Sequence, residues 1–370
     1  MDILARCKAM EAQGRDIIHM EIGEPDFPAP EPIMQAGMLA LQKQQTYYTS
    51  AQGLAELRTA LSIDYHDRFD CRVEAEQIFI TPGASGAIQL VFAYVLQAGK
   101  TLMLSDPTYP CNYNVAQLFN ANIDAIAVDE RSQFQLDLET IQHHWHEDVA
   151  AVLIASPSNP TGTVSDKQEL LAIADFLADH DAVLIVDEIY QGLNYDTIPT
   201  SMAGLRDNIF VINSFSKYFG MTGWRIGWCV APHAYVGSLD AIAQNTYLAS
   251  STPAQYAALA AFQQDTFAIV EQRRAIFQQR RDLVCAALGD LPLQIPCIPQ
   301  GAFYIYTNVA EVCDDSFDFC QRLLKDTGVA VTPGCDFGQH QAYQYIRLAY
   351  TNSEQRLGEG IERIKHFLAG

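Results

Sequence analysis

The sequence predicts an α/β protein of two domains. A mostly parallel seven-stranded sheet sandwiched by helices is expected over residues 36–265, and a smaller α+β domain from residues 1–35 and 266–370. Three observations predict this. Seven short runs rich in Val, Ile and Leu lie between residues 77 and 232 and alternate with segments of helical pattern. Most of these runs are apolar almost without a break, as strands covered on both faces are. Beyond about residue 265 the texture changes to a charged amphipathic helix, proline-rich turns, a further strand and a last helix.

Taken in order, "MDILARCKAMEAQGRD" reads as a helix, with no signal-peptide apolar region. The strand runs are "QIFITPG" (77–83), "TLMLSDP" (101–107), "IDAIAVD" (123–129), "AAVLIASPSNP" (150–160), "AVLIVDEIY" (182–190), "IFVINSFSK" (209–217) and "RIGWCVAP" (225–232). Between two of them, "SDKQELLAIADFLADHD" reads as a crossover helix with Ser165 as its N-cap. After residue 265 come the helix "EQRRAIFQQRRDLVCAAL", the strand "GAFYIYTNV" and a final helix opening at "TNSE". There Thr351 and Glu354 have capping-box spacing.

Composition narrows the function classes. The 370 residues are 49% hydrophobic and 18% charged, a globular balance, and no apolar run reaches membrane-spanning length. A net charge of −21 repels phosphate backbones, so nucleic-acid binding is not expected, and any basic residue handling an anion must be locally placed. Nine scattered cysteines without a CxxC pair suit reduced thiols in the cytoplasm better than a disulfide framework or a zinc site.

In open α/β sheets ligands bind beyond the carboxyl ends of the strands, which directs attention to the polar residues after each run. Ser85 and Gly86 open a helix after "QIFITPG", where free N–H groups and the helix dipole suit a phosphate; a tight strand-to-helix turn is the plainer reading. Asn159 sits in "SPSNPTG", held extended by Pro160 and able to aim its amide at a fixed target, or simply part of a loop. Asp187 and Tyr190 end a buried run, where a carboxylate needs a cation, either a ligand's or a structural arginine's. Lys217 lies in "SFSKYFGMTGWRIGW" between Ser214, Ser216 and Arg225, whose donors suit a dianionic phosphate. A lysine so placed can have its pKa lowered enough to attack a carbonyl carbon. An imine-forming lysine beside a phosphate site implies pyridoxal 5′-phosphate.

With those residues in place, the chain resembles the class I (and II) aminotransferases, fold type I of the pyridoxal-phosphate enzymes. The likeness runs in order through "IGEPDF", "YYTSAQGLAELR", "PGASGA", "DPTYP", "SPSNPTG", "VDEIY", "SFSKYFGMTGWRIGW" and "IRLAYTNS". The resemblance implies that Lys217 is the Schiff-base lysine and that Asp187 keeps the pyridine nitrogen protonated. Tyr190 and Asn159 would bond the ring's phenolic oxygen and Tyr109 would stack on the ring. Ser85, Gly86, Ser214, Ser216 and Arg225 would hold the phosphate. Arg347 would clamp the substrate α-carboxylate with the Gly23 N–H assisting, and Tyr48 would reach the partner's cofactor in a homodimer. The expected reaction moves an amino group between an L-amino acid and a 2-oxo acid with ping-pong kinetics; no metal and no membrane are expected.

One departure bears on substrate. Some aspartate-using members carry a lysine in the "PGASGA" turn, where this chain has Ser85. The chain also begins inside what resembles the family's first helix. A carbon–sulfur β-lyase, or a decarboxylating or racemising relative, would share Lys217, Asp187 and the phosphate cup, so the motifs leave that alternative open. A transcriptional sensor on the same fold would need a DNA-binding module, for which the residues before 20 leave no room.

Overall fold

All seven apolar runs become strands of one sheet in the computed structural model, which describes residues 2–370. In chain order the strands are β1 (Ile18–His19), β2 (Ile78–Thr81), β3 (Thr101–Asp106), β4 (Asn122–Ala127), β5 (Val149–Ala155) and β6 (Val183–Asp187). They continue with β7 (Ile209–Ser214), β8 (Gly227–Val230), β9 (Tyr304–Asn308), β10 (Val329–Ala330), β11 (Thr332–Pro333) and β12 (Tyr345–Ala349). The helices are α1 (Asp2–Glu11), α2 (Glu31–Gln42), α3 (Ala55–Phe69), α4 (Gly83–Val95), α5 (Pro110–Leu118) and α6 (Leu138–His143). After them come α7 (Lys167–Ala178), α8 (Val236–Thr246), α9 (Thr252–Leu259), α10 (Gln264–Gly289), α11 (Ser316–Thr327) and α12 (Glu354–Leu368).

Side-chain alternation explains why these runs lack polar residues. Along β6, Val183 and Ile185 join one buried cluster with Ile88 and Val91 of α4 and Leu239 of α8. The intervening Leu184 and Val186 join another with Leu170, Ile173 and Leu177 of α7. β5 and β7 divide the same way, with Leu153 and Ile212 on the α4 side and Val152 and Val211 on the α7 side. Both faces are covered by helices, so nearly every position on these strands is buried and none is exposed.

The order across the sheet is β2-β8-β7-β6-β5-β3-β4. β8 runs antiparallel to both its neighbours, while the pairings among β7, β6, β5, β3 and β4 are all parallel. β4 lies on one side of β3 and β5 on the other, so the chain reverses its direction of travel across the sheet there. The crevice outside the carboxyl ends of β3 and β5 is therefore the expected binding place.

The remaining strands tie the two chain ends together. β1 pairs in parallel with β10, with Ile18 opposite Val329, and β11-β12-β9 form an antiparallel sheet in which Thr332 lies opposite Arg347. Two caps differ from the sequence expectation. Asp166, not Ser165, caps α7, its carboxylate accepting from the N–H groups of Gln168 and Glu169, because a charged acceptor one residue later meets the helix's free donors. At α12 the cap is Ser353, bonded to the Arg356 N–H, whereas the Thr351 hydroxyl donates to the Ile22 carbonyl and so ties the end of β12 to the N-terminal segment.

Candidate active site

The carboxyl ends of β3, β5 and β6 open into a cavity of about 500 Å³ whose wall includes Tyr109, Asn159, Asp187, Tyr190, Lys217 and Arg347. Gly23, Ser85, Ser216 and Arg225 also line it, so ten of the residues singled out in the sequence meet in one place. Three do not line it. Ser214 lies behind Ser216, its hydroxyl 2.9 Å from Ser216 Oγ and 3.1 Å from the Ile226 carbonyl, because those neighbours already occupy it. Gly86 is one residue further into α4 and packs on Pro82, where a Cβ would stand 2.7 Å from the ring. Tyr48 is 81% exposed on the surface of the single chain.

Lys217 follows β7, and its Nζ donates to the Gly23 carbonyl at 2.7 Å. Burial is the main cause that lowers this ammonium from its ordinary 10.5 to about 8; Arg347 and Arg225 add to the lowering, while Glu24 and Asp187 oppose it. Asp187 has the same parity along β6 as Val183 and Ile185 and so faces the α4 side. Burial raises its carboxyl from 3.8 to about 6, against the Ile189 N–H and the Lys217 charge. That N–H, 3.1 Å from Oδ1, is its one hydrogen-bond donor among the described residues.

Arg225 closes a short turn, Thr222–Trp224, in the left-handed region at φ 51, an unfavourable conformation for a non-glycine residue. Its guanidinium lies against the start of α4, bonds the Thr222 carbonyl at 3.1 Å and has no carboxylate partner among the described residues. Gly83, at φ +71, permits this approach: a Cβ there would stand 2.6 Å from Arg225 Nη2. An unpaired guanidinium, the Ser85 and Ser216 hydroxyls and the free amides of a helix N-terminus together form an anion cradle.

On the opposite wall, Arg347 of β12 is buried, with Nη1 donating to Asn159 Oδ1 at 2.9 Å and Nη2 to the Glu21 carbonyl at 2.6 Å. Its Nε is buried without a partner among the described residues, and the guanidinium carbon lies 4.2 Å from the centre of the Tyr304 ring. Tyr304 is the residue the sequence reading missed. Its hydroxyl is 2.9 Å from that of Tyr190, and it packs so closely on Gly23 that a Cβ at residue 23 would collide with it. Its only sequence signal is its place in the apolar run "GAFYIYTNV". Cys111 and Glu24 also line the cavity, and Glu24 accepts a hydrogen bond from the Thr222 hydroxyl.

Comparison with known proteins agrees with this geometry. The family described as "Aminotransferase class I and II" matches residues 15–364. A (5-formylfuran-3-yl)methyl phosphate transaminase of Methanocaldococcus jannaschii is 34% identical over 371 residues, covering 100% of this chain and 96% of that protein. A crystal structure of an aminotransferase from Mycobacterium tuberculosis superposes with a TM-score of 0.96 at 33% identity, covering 100% of this chain and 96% of the other. The aspartate aminotransferase of Thermus thermophilus, solved with maleate, gives 0.94 at 30% identity over 99% of this chain and 95% of its own. The names of these relatives differ in substrate but agree in chemistry. The chain belongs to the class I and II aminotransferases and is an aminotransferase of fold type I.

Proposed function

We propose that this aminotransferase carries pyridoxal 5′-phosphate on Lys217 and passes an amino group from an L-amino acid to a 2-oxo acid in a ping-pong cycle. The observation that carries the reading is the convergence of Lys217, Asp187 and Arg347 on one cavity, each with bonding capacity unspent on the protein. The donor set suits the cofactor: an amine for its aldehyde, a buried carboxylate for its ring nitrogen and an anion cradle for its phosphate. When bound, the cofactor supplies a carbonyl carbon and a protonated ring that accepts electrons from the substrate's Cα.

Each residue then has one task. Lys217, with its pKa lowered to about 8, has an appreciable uncharged fraction near neutral pH; it would be the amine that holds the cofactor's aldehyde carbon and the base that moves the proton of the substrate's Cα. Asp187 holds the proton on the ring nitrogen, and each charge offsets the desolvation of the other. Asn159 gives its Oδ1 to Arg347, leaving its amide N–H groups, with the Tyr190 hydroxyl, for the ring's phenolic oxygen. Tyr109, on the cavity wall, would stack on the ring. Ser85, Ser216 and Arg225 would hold the phosphate; Gly86, off the cavity wall, could reach it only through its backbone N–H, and Ser214 contributes by fixing Ser216. Arg347 clamps the α-carboxylate of donor and acceptor in turn, with the Gly23 N–H assisting.

We also read residues 36–265 as the cofactor-binding domain and residues 1–35 with 266–370 as the smaller one, in a cytoplasmic homodimer. Support for the dimer is an exposed apolar surface at Met38, Leu41, Tyr47 and Tyr48, where Tyr48 is free to reach a second copy. Light scattering is expected to give twice the chain mass.

Incubation of the holoenzyme with single amino acids tests the reaction. Stoichiometric pyridoxamine phosphate and a 2-oxo acid, without ammonia, are expected. Pyruvate accompanied by ammonia would instead mean elimination.

A further inference from the structure

Away from the cavity, Cys7 of α1, His19 of β1 and Glu21 bring one ligand atom each to within 4.8 Å of one another. His19 Nδ1 is 2.7 Å from Glu21 Oε1, and its Nε2 is 3.1 Å from Glu11 Oε1. Carboxylate oxygens accept and do not donate, and a neutral imidazole carries only one N–H. Each ring nitrogen therefore needs a positive partner between itself and its carboxylate, either a proton or a metal ion. Glu21 is 8% exposed, and its Oε2 is buried with no hydrogen-bond partner among the described residues. Cys7 is fully buried and forms no disulfide.

We propose that Cys7 Sγ, His19 Nδ1 and a Glu21 carboxylate oxygen bind one divalent transition-metal ion of the zinc type, with Glu11 fixing the ring through its Nε2–H. Sulfur, nitrogen and oxygen together are a donor set for borderline ions such as Zn²⁺ or Co²⁺, not for Mg²⁺ or Ca²⁺. A carboxylate on the far nitrogen of a ligating histidine is the usual way such a ring is oriented. Binding exchanges the ion for the Nδ1 proton and the Cys7 thiol proton, both released to solvent, so the net charge of the buried cluster is unchanged. Because binding releases those two protons, affinity rises with pH.

Glu21 also presents its backbone carbonyl to Arg347 Nη2, so the metal site stands directly behind the substrate arginine. The sequence reading expected no metal, because the cysteines are scattered and form no CxxC pair; residues 7, 19 and 21 are assembled only by the placing of β1 beside α1.

Titration of the purified holoenzyme with ZnCl₂ or CoCl₂ tests the proposal. Expected are one zinc per chain by dialysis and elemental analysis, release of protons, a rise in Tm with zinc concentration, and the visible bands of four-coordinate cobalt. Cys7→Ser and His19→Gln are each expected to weaken zinc binding by at least ~100-fold, and Glu11→Gln by about 10- to 100-fold. Replacing the exposed Cys335 with Ser should leave binding unchanged. X-ray absorption on the wild-type protein loaded with one equivalent of zinc gives an answer independent of how the variants fold. A shell of one sulfur with nitrogen and oxygen is expected. A shell without sulfur, or equal zinc retention by wild type, Cys7→Ser and His19→Gln, would overturn the site.

Discussion

Asp187 and Glu188 are consecutive buried carboxyl groups on opposite faces of the same strand end, and the protein treats them differently. Both oxygens of Glu188 are engaged, Oε2 by the Ser201 hydroxyl and Oε1 by the Met202 N–H, each at 2.7 Å. Asp187 receives one backbone N–H and otherwise faces the cavity shared with Lys217. Burial is the leading cause of a raised pKa in both, to about 8 for Glu188 and about 6 for Asp187. The pair teaches that burial alone does not mark a functional acid. What distinguishes Asp187 is bonding capacity held open toward a cavity that also holds Lys217 and Arg347, neither of which has a carboxylate partner among the described residues. Glu188 is saturated, and its work is to hold the Ser201–Met202 segment.

Isosteric amides at the two positions sharpen the contrast. Asp187→Asn keeps the shape and removes the charge proposed to hold a proton on the cofactor ring. Turnover is expected to fall by about 10² to 10⁴-fold, with the chain still folded by circular dichroism. Loss of less than tenfold would put Asp187 in the same class as Glu188.

Arg347 extends the comparison, being another buried charge with an atom left over. Arg347→Lys loses the planar fork and is expected to raise KM for both amino acid and 2-oxo acid by about 10- to 100-fold, as the loss of a charge-assisted hydrogen bond of ~1.5 to 3 kcal/mol would. A fall in kcat at unchanged KM would mean that the arginine serves the reacting atoms instead of the carboxylate.

Glu188→Gln should give the smallest change in turnover, within a few-fold, and a change in the pH dependence of stability. The folded carboxyl is raised from 4.5 to about 8, so the folded chain keeps a proton that the unfolded chain releases. Its contribution is complete below about 4.5 and is lost as pH rises through about 8. Holoenzyme Tm, measured from pH 5 to 9, should therefore decline more steeply in the wild type than in the variant. Parallel curves would contradict the raised pKa.

How much of this was readable in the sequence depended on what kind of constraint each residue answers to. Most of the seven strands were legible because strands covered on both faces exclude polar residues over several positions in succession; the edge strand β4, largely exposed and carrying Asn122 and Asp124, is the exception. Lys217, Asp187 and Asn159 stood out because each is polar where such a run ends, and Arg225 because it opens the next run, eight residues after Lys217. The two caps were displaced because Ser165, Asp166, Thr351 and Ser353 all carry side-chain acceptors, and which one meets the helix depends on backbone angles that composition does not reveal. Tyr304 was hidden for the opposite reason: an aromatic residue in a β-run reads as core until the fold sets it against Gly23 and Arg347. The Cys7, His19 and Glu21 cluster left no local trace, since tertiary packing alone brings α1 beside β1.

The central claim is that Lys217 is the residue to which the cofactor is attached. The direct measurement is borohydride reduction of the purified holoenzyme, followed by proteolysis and mass mapping of all seven lysines. The account predicts a stable phosphopyridoxyl mass increment on the peptide carrying Lys217 and on no other, absent when an amino acid substrate is added before reduction. An increment on Lys8, Lys43, Lys100, Lys167, Lys325 or Lys365, or none at all, would contradict it.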